Sequence, residues 1–272
     1  MDKLVMDEAK MKRLTERMKG QMNISWAKEA LMLKRFGVED GQSILEIGSG
    51  PGFITDRLAE MYPSSPVTAV EIEPYFAAYA RSHLIPKWGE RVHVVEDDVT
   101  EPRNLPSGQY DVAIARLVFQ HLSAPEAAAS QLYRLLKPGG KLIVLDVDDA
   151  VWGIVDPLIP ELGFILNQHA KEQSAEGGDR FIGRKLWRIL RGAGFVQLDL
   201  QMIASHSDEL GLEAFVPQTD PEEMRTMVNS GFITERELES AQAAIRNFLN
   251  LPDAYALLLM LAFYGEKPHS RN

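Results

Sequence analysis

The residues Ile44-Leu45-Glu46-Ile47-Gly48-Ser49-Gly50-Pro51-Gly52 constrain what this chain can fold into more than any other stretch. A short apolar run carrying one carboxylate gives way to three alternate glycines. Phe53-Ile54-Thr55-Asp56-Arg57-Leu58 then opens a helical pattern. Glycine at such a corner lets the backbone take positive φ and lets a ligand approach where a Cβ would stand. The amides that open the helix favour a negatively charged group. Strand, glycine turn and helix in that order read as the first corner of a nucleotide-type binding fold.

The pattern downstream extends that corner. β-like runs at 43–47, 66–72, 91–95, 110–115 and 141–147 alternate with helical stretches at 53–61, 75–84 and 125–137. Such alternation predicts a parallel sheet covered by helices on both faces. The runs at 67–70 and 141–145 are nearly continuous in apolar content, as strands buried on both sides should be. Lys137-Pro138-Gly139-Gly140 punctuates a helix end and a turn. Upstream, the spacing of Met6, Met11, Leu14 and Met18 predicts a helix over 6–19, and Ser25 as a cap before Trp26 predicts a second over 25–36. Residues 150–183 read as irregular and partly helical, 184–193 as a helix and 195–204 as a strand. A polar helical insertion follows at 208–250, and the apolar run 254–266 reads as the last strand, with a helix as the alternative. The expected division is a helical cap at 1–40, a core at 41–207, a helical lid at 208–250 and a last core strand with tail at 251–272.

Composition narrows the partners. A net charge of −10 argues against a nucleic-acid surface, which needs concentrated basic residues. Zero cysteines exclude a disulfide framework, a thiolate metal site and a cysteine nucleophile. The first residues show no apolar signal core, and the run at 254–264 falls short of the about 20 residues a bilayer crossing takes. A cytoplasmic protein without membrane insertion is expected.

Two ligand classes compete for the corner. A dinucleotide site wants G-x-G-x-x-G, and Phe53 stands where the third glycine would fall. Glu46 would repel a pyrophosphate and attract an ammonium group. A ligand carrying both an amino group and a carboxylate suits an acidic strand end followed by a helix start. The amino-acid part of S-adenosylmethionine is such a ligand.

On these residues the chain resembles the class I S-adenosylmethionine-dependent methyltransferases. Glu46-Ile47-Gly48-Ser49-Gly50-Pro51-Gly52 is close to that family's first motif, and Val70-Glu71-Ile72-Glu73, Val95-Glu96-Asp97-Asp98-Val99, Tyr110–Arg116 and Leu135–Leu142 follow in the expected order. The resemblance spans residues 43–147. It implies a Rossmann-like, seven-stranded, mostly parallel sheet and a bound S-adenosylmethionine. It also implies a cofactor site of Glu46, Gly48, Ser49, Gly50 and Gly52, with Glu71 on the ribose and Ile72 beside it. Asp98 would take the adenine amino group, with Asp97 as the alternative and Val99 adjoining, and Arg116 would close the set. More loosely, residues 184–200 resemble the sixth helix and strand of small-molecule and quinone-type members, and the terminal helices and insertion resemble their substrate caps.

Ligands of open parallel sheets sit beyond the strand carboxyl ends. That edge offers Arg116, Gln120 and His121 after the fourth strand, and Asp148, Asp149 and Trp152 after the fifth. His121, with Arg116, is the candidate catalytic residue, since an imidazole can act as general base near neutral pH; a helix-capping or half-buried histidine is the other reading. Asp148 and Asp149 could take a proton or cap the next helix. Trp26, Trp152 and Phe215 could form an apolar or cation-attracting wall, or pack in the core. The histidines lack zinc spacing, so no metal is expected.

The expected function is methyl transfer to an O, N or C nucleophile of a small organic molecule, such as a secondary metabolite or quinone, with segments 6–36 and 208–250 as lids. No nucleic acid is expected as a partner, and a homodimer is left open. The alternatives are a nicotinamide-dependent oxidoreductase, or an S-adenosylmethionine-binding protein turned to regulation or a non-methylating reaction.

Overall fold

The protein is seen in a computed structural model that describes residues 8–151, 153–219 and 221–269. Its sheet has the strands β1 (Ile44–Ile47), β2 (Val67–Glu71), β3 (Val92–Glu96), β4 (Tyr110–Arg116), β5 (Leu136–Asp146), β6 (Gly153–Asp156), β7 (Val196–His206) and β8 (Tyr255–Glu266). β1 pairs in parallel with β2 and β4, β2 with β3, and β4 with β5. β8 runs against this direction and pairs with β5 through 261–266, with β6 through 255–258 and with β7 along most of its length. The run at 254–266 is thus a strand and not a helix.

Eight strands stand where seven were expected. The addition is β6, within the segment read as irregular. Its Gly-Ile-Val-Asp is largely exposed, so it lacks the apolar run by which a buried strand announces itself.

The helices are α1 (Glu8–Arg35), α2 (Phe53–Met61), α3 (Pro74–Trp88), α4 (Pro125–Leu135), α5 (Pro160–Ala175), α6 (Gly183–Gly192), α7 (Ser207–Leu210), α8 (Pro221–Asn229) and α9 (Glu235–Leu249). α1 is one helix where two were expected, and Met6 lies outside the described residues. Ser25 does not start a helix. It sits inside α1 and donates from its hydroxyl to Glu29 one turn on. Met22 and Ile24 are buried at that point, and the Ser25 hydroxyl also accepts from Arg116 Nη2 at 3.3 Å.

Successive strand residues point to opposite faces, and both faces are covered. Leu45, Ile47, Leu132, Leu135, Phe119 and Leu190 share one core cluster, and Ile44, Leu58, Leu84, Ile114, Ile143 and Phe36 share the other. Each such buried apolar side chain contributes about 1.5–3 kcal/mol. α1 is fixed over the sheet end: Ser205 of β7 donates from its hydroxyl to the Ile24 carbonyl at 3.0 Å, and Lys28 donates to the Ala204 carbonyl at 2.8 Å. α5, α8 and α9 have a small core of their own, built on Ile165, Met224, Met227, Leu238 and Ile245. Thr234 and Glu237 close a reciprocal capping box at the start of α9.

Candidate active site

The corner between β1 and α2 takes the conformation its glycines allow. Gly48, Gly50 and Gly52 have φ of 64°, 53° and 83°. A Cβ on Gly48 would stand 2.5 Å from Val118 Cγ2, and one on Gly52 would stand 2.6 Å from Leu84 Cδ1. Neither position has room for a side chain. The corner opens into a cavity of about 750 Å³ at the carboxyl ends of the parallel strands.

Two carboxylates flank the corner. Glu46 is 3% exposed and accepts from the Thr55 hydroxyl at 2.5 Å. Burial is the main cause that raises its pKa to about 8, with the nearby Glu71 adding to it. Glu71 accepts from the Gly50 amide at 2.6 Å and the Glu73 amide at 2.9 Å. Burial pushes its pKa up and those amides hold it back. Ser49 Oγ is buried on the cavity wall with no hydrogen-bond partner among the described residues. A cradle free of Cβ atoms, buried acids and an orphaned hydroxyl fit a ligand with ammonium and hydroxyl groups, which is the chemistry of S-adenosylmethionine.

Glu46, Gly48, Ser49, Gly50, Glu71, Ile72 and Arg116 line the cavity together. Gly52 lies behind them, packed on α3. Asp97, Asp98 and Val99 do not line it. Asp97 accepts from the amides of Asp98, Arg103 and Asn104, and Asp98 from the amide and hydroxyl of Thr100, both at 2.7 Å. Both carboxylates brace their own loop, while Val99 is buried in the core.

Arg116 makes a pair that the sequence did not announce. Its Nε donates to Glu29 Oε2 at 2.9 Å and its Nη2 to Glu29 Oε1 at 3.0 Å. Glu29 is 2% exposed and comes from α1, so the pair ties that helix to the end of β4. Only the buried position of an acid on an N-terminal helix hints at this, and no local pattern names its partner.

Beyond Arg116 the chain turns through Leu117, whose φ of 56° is a left-handed conformation unusual for a bulky residue. This turn puts Gln120 and His121 on the cavity wall. The His121 amide donates to the Val118 carbonyl at 2.9 Å, and no hydrogen bond from the described residues reaches its imidazole. Its surface is open to the cavity, but protein encloses the cavity. That enclosure, and then the charge of Arg180, lowers its pKa to about 4. His121 is therefore neutral at pH 7 and a weak proton acceptor.

Asp148 and Asp149 lie off the cavity wall. Asp148 binds the Arg184 guanidinium at 2.6 and 2.7 Å and accepts from the Arg184 amide in the first turn of α6. Asp149 pairs with Arg180 at 2.7 and 2.9 Å. Phe215 packs with Ile24 and Ala256, and Trp26 against the α1–α2 side of the core. Trp152 lies outside the described residues. The far wall instead comes from α5, with Leu162, Ile165, Leu166, His169 and Gln173, and from Met224 and Met227 of α8. Among the described residues no group of three or more His, Asp or Glu could hold a metal ion, and no helix is long and apolar enough to cross a membrane.

Residues 45–144 match the family described as a methyltransferase domain. The malonyl-[acyl-carrier protein] O-methyltransferase of Priestia megaterium is 31% identical over 101 residues, covering 37% of this chain and 35% of that protein. The chain spans about half or less of the length of the curated relatives it matches. Among solved structures, a Haemonchus contortus phosphoethanolamine N-methyltransferase 2 bound to S-adenosylhomocysteine superposes with a TM-score of 0.59 at 18% identity, over 90% of this chain and 53% of that one. The [4+2]-cyclase SpnF superposes with a TM-score of 0.53 at 22% identity, over 88% and 80%. The fold is the Rossmann-like fold seen in those methyltransferase structures, and the match to the methyltransferase-domain family lies within its parallel half, at residues 45–144.

Proposed function

We propose that this chain transfers a methyl group from S-adenosylmethionine to an oxygen, nitrogen or carbon nucleophile of a small organic molecule. The observation that carries this reading is an acid-flanked, Cβ-free glycine corner that shares one cavity with side chains of α1, α5 and α8. The bound cofactor supplies a methyl carbon already activated by its sulfonium.

In this reading Glu46 holds the ammonium group, the Gly48–Gly50 backbone and Ser49 Oγ take the amino-acid end, and Glu71 takes the ribose hydroxyls. Ile72, which is exposed beside Glu71, offers an apolar surface to the base. Asp97, Asp98 and Val99 reach the adenine only if their loop rearranges. Arg116 acts through Glu29, holding α1 over the mouth. α1 and α8 serve as lids that keep water from the reacting pair. Orientation in such a closed site can supply about 7–11 kcal/mol of barrier reduction. A weakly basic His121 suits a nucleophile that is already deprotonated, or one that carries a lone pair at working pH. A cytoplasmic setting and no nucleic-acid partner go with this reading, supported by the net charge of −10 and the lack of cysteine.

Titration calorimetry with S-adenosylhomocysteine and with NADH separates the cofactor classes. Binding of the first and not the second is expected, and the reverse would turn the reading to an oxidoreductase. Incubation with methyl-labelled cofactor and a panel of small metabolites then tests transfer. The likeness to a [4+2]-cyclase favours one second reading, a cofactor-binding protein with a different chemistry. Tight cofactor binding with no label transferred to any compound would favour it.

A further inference from the structure

The half of the cavity facing the glycine corner is built in two zones of opposite character. One zone is apolar and adaptable. Four of the chain's eleven methionines line it, Met22, Met224, Met227 and Met260, contributed by α1, α8 and β8, while Met18 stands against Gly50 at the corner itself. Unbranched thioether side chains adjust to flexible or varied apolar ligands better than branched ones do. Leu162, Ile165 and Leu166 of α5 continue the same surface.

The other zone is polar and held in place. The Gln120 carbonyl accepts from Gln173 Nε2 at 2.6 Å and from the Asp179 amide at 2.7 Å. Arg180, 8% exposed, donates from Nη1 to Gln120 Oε1 at 2.6 Å, while Asp149 fixes its other edge. His121 and His169 stand on the same wall, and no hydrogen bond from the described residues reaches either imidazole. Burial first, and then the Arg180 guanidinium that Asp149 holds in place, makes both histidines harder to protonate, and Arg17 adds to this for His169. The acids on the cavity, Glu46, Glu71 and Glu73, belong to the cofactor side. The polar zone also adjoins the glycine corner, since Val118, whose carbonyl accepts from the His121 amide, fills the space where a Gly48 side chain would stand.

Resting on the methyl-transfer reading, we propose that the substrate is an amphipathic acid, with its anionic head among His121, His169 and Arg180 and a flexible apolar body along the methionine wall. A cationic head would be repelled by Arg17 and Arg180. A neutral head would gain less from the arginine and the two N–H groups that the imidazoles can turn toward it.

The probes are dodecanoate, octanoate and 1-dodecanol, titrated calorimetrically into the protein saturated with S-adenosylhomocysteine. Dodecanoate should bind about tenfold or more tightly than dodecanol, and more tightly than octanoate because it buries more methylenes. His169→Leu should erase the preference for acid over alcohol, and His169→Gln should keep most of it. Both variants should bind S-adenosylhomocysteine as the parent does, which shows that they fold. Equal binding of acid and alcohol, or an undiminished preference in His169→Leu, overturns the head-group assignment. Equal binding of octanoate and dodecanoate overturns the apolar wall. If S-adenosylhomocysteine does not bind, the methyl-transfer reading fails, and the same titrations of the free protein still decide the cavity's preference.

Discussion

Glu46 is held neutral in the free protein because burial raises its pKa to about 8. An ammonium group placed beside it reverses that balance. Cofactor binding near pH 7 should therefore release a proton from Glu46, and affinity should rise with pH until about 8, where the free carboxyl is already ionised. The calorimetric enthalpy of S-adenosylhomocysteine binding should then vary with the ionisation enthalpy of the buffer. In Glu46→Gln that dependence should vanish and affinity should fall about tenfold. A buffer-independent enthalpy in the parent protein would refute the assignment. The glycines and acids of this corner were legible because their spacing is local. Thr55, Glu29 and Arg180 were not, because what they do depends on partners 9, 87 and 60 residues away. Asp97 and Asp98 sit where the motif put them, yet they satisfy the amides of their own loop.

α1 is joined to the sheet by an ion pair whose partners are both nearly inaccessible, Arg116 and Glu29 at 11% and 2% side-chain exposure. Removing one partner of a buried pair leaves the other charge uncompensated, at a cost of about 3–5 kcal/mol. Glu29→Ala should lower the melting temperature and speed amide exchange along 17–25 more than in the α5–α9 core. Arg116→Ala in the same background should add less than its separate effect. Additive effects would show that the two residues act independently. At this scale the parallel strands were readable because both faces are buried, which makes their apolar runs continuous. The single α1 was hidden by Ser25, whose residue type suits a cap but whose hydroxyl is engaged by Glu29.

Across the molecule, two fully buried acids set the pH response. Glu46 and Asp146 have pKa values raised by burial to about 8 and about 7. Because folding raises both, the stability they contribute is whole below about pH 4 and is lost as pH rises through the folded values. Asp56, Asp111 and Asp148 act the other way: partners lower their pKa values, so their contribution is present above the ordinary carboxylate range and lost in acid. Burial also lowers the pKa values of His121 and His169 to about 4, which adds stability as pH rises toward about 6.5, so the free protein should lose melting temperature between about pH 6.5 and 8. Glu46→Gln should flatten that decline, and a melting temperature that rises over the same range would contradict it. The parallel half of the sheet could be anticipated along the chain. The β5–β8 half could not, because its order depends on a strand that arrives after every one of its partners.

That order has a consequence for synthesis. β5, β6 and β7 find no common neighbour until β8 leaves the ribosome, so until then their edges stand open to other chains. The same strand brings Leu258, Leu259 and Met260 to the cavity. A nascent chain therefore has no finished chamber in which a small molecule could help it fold before β8 is in place.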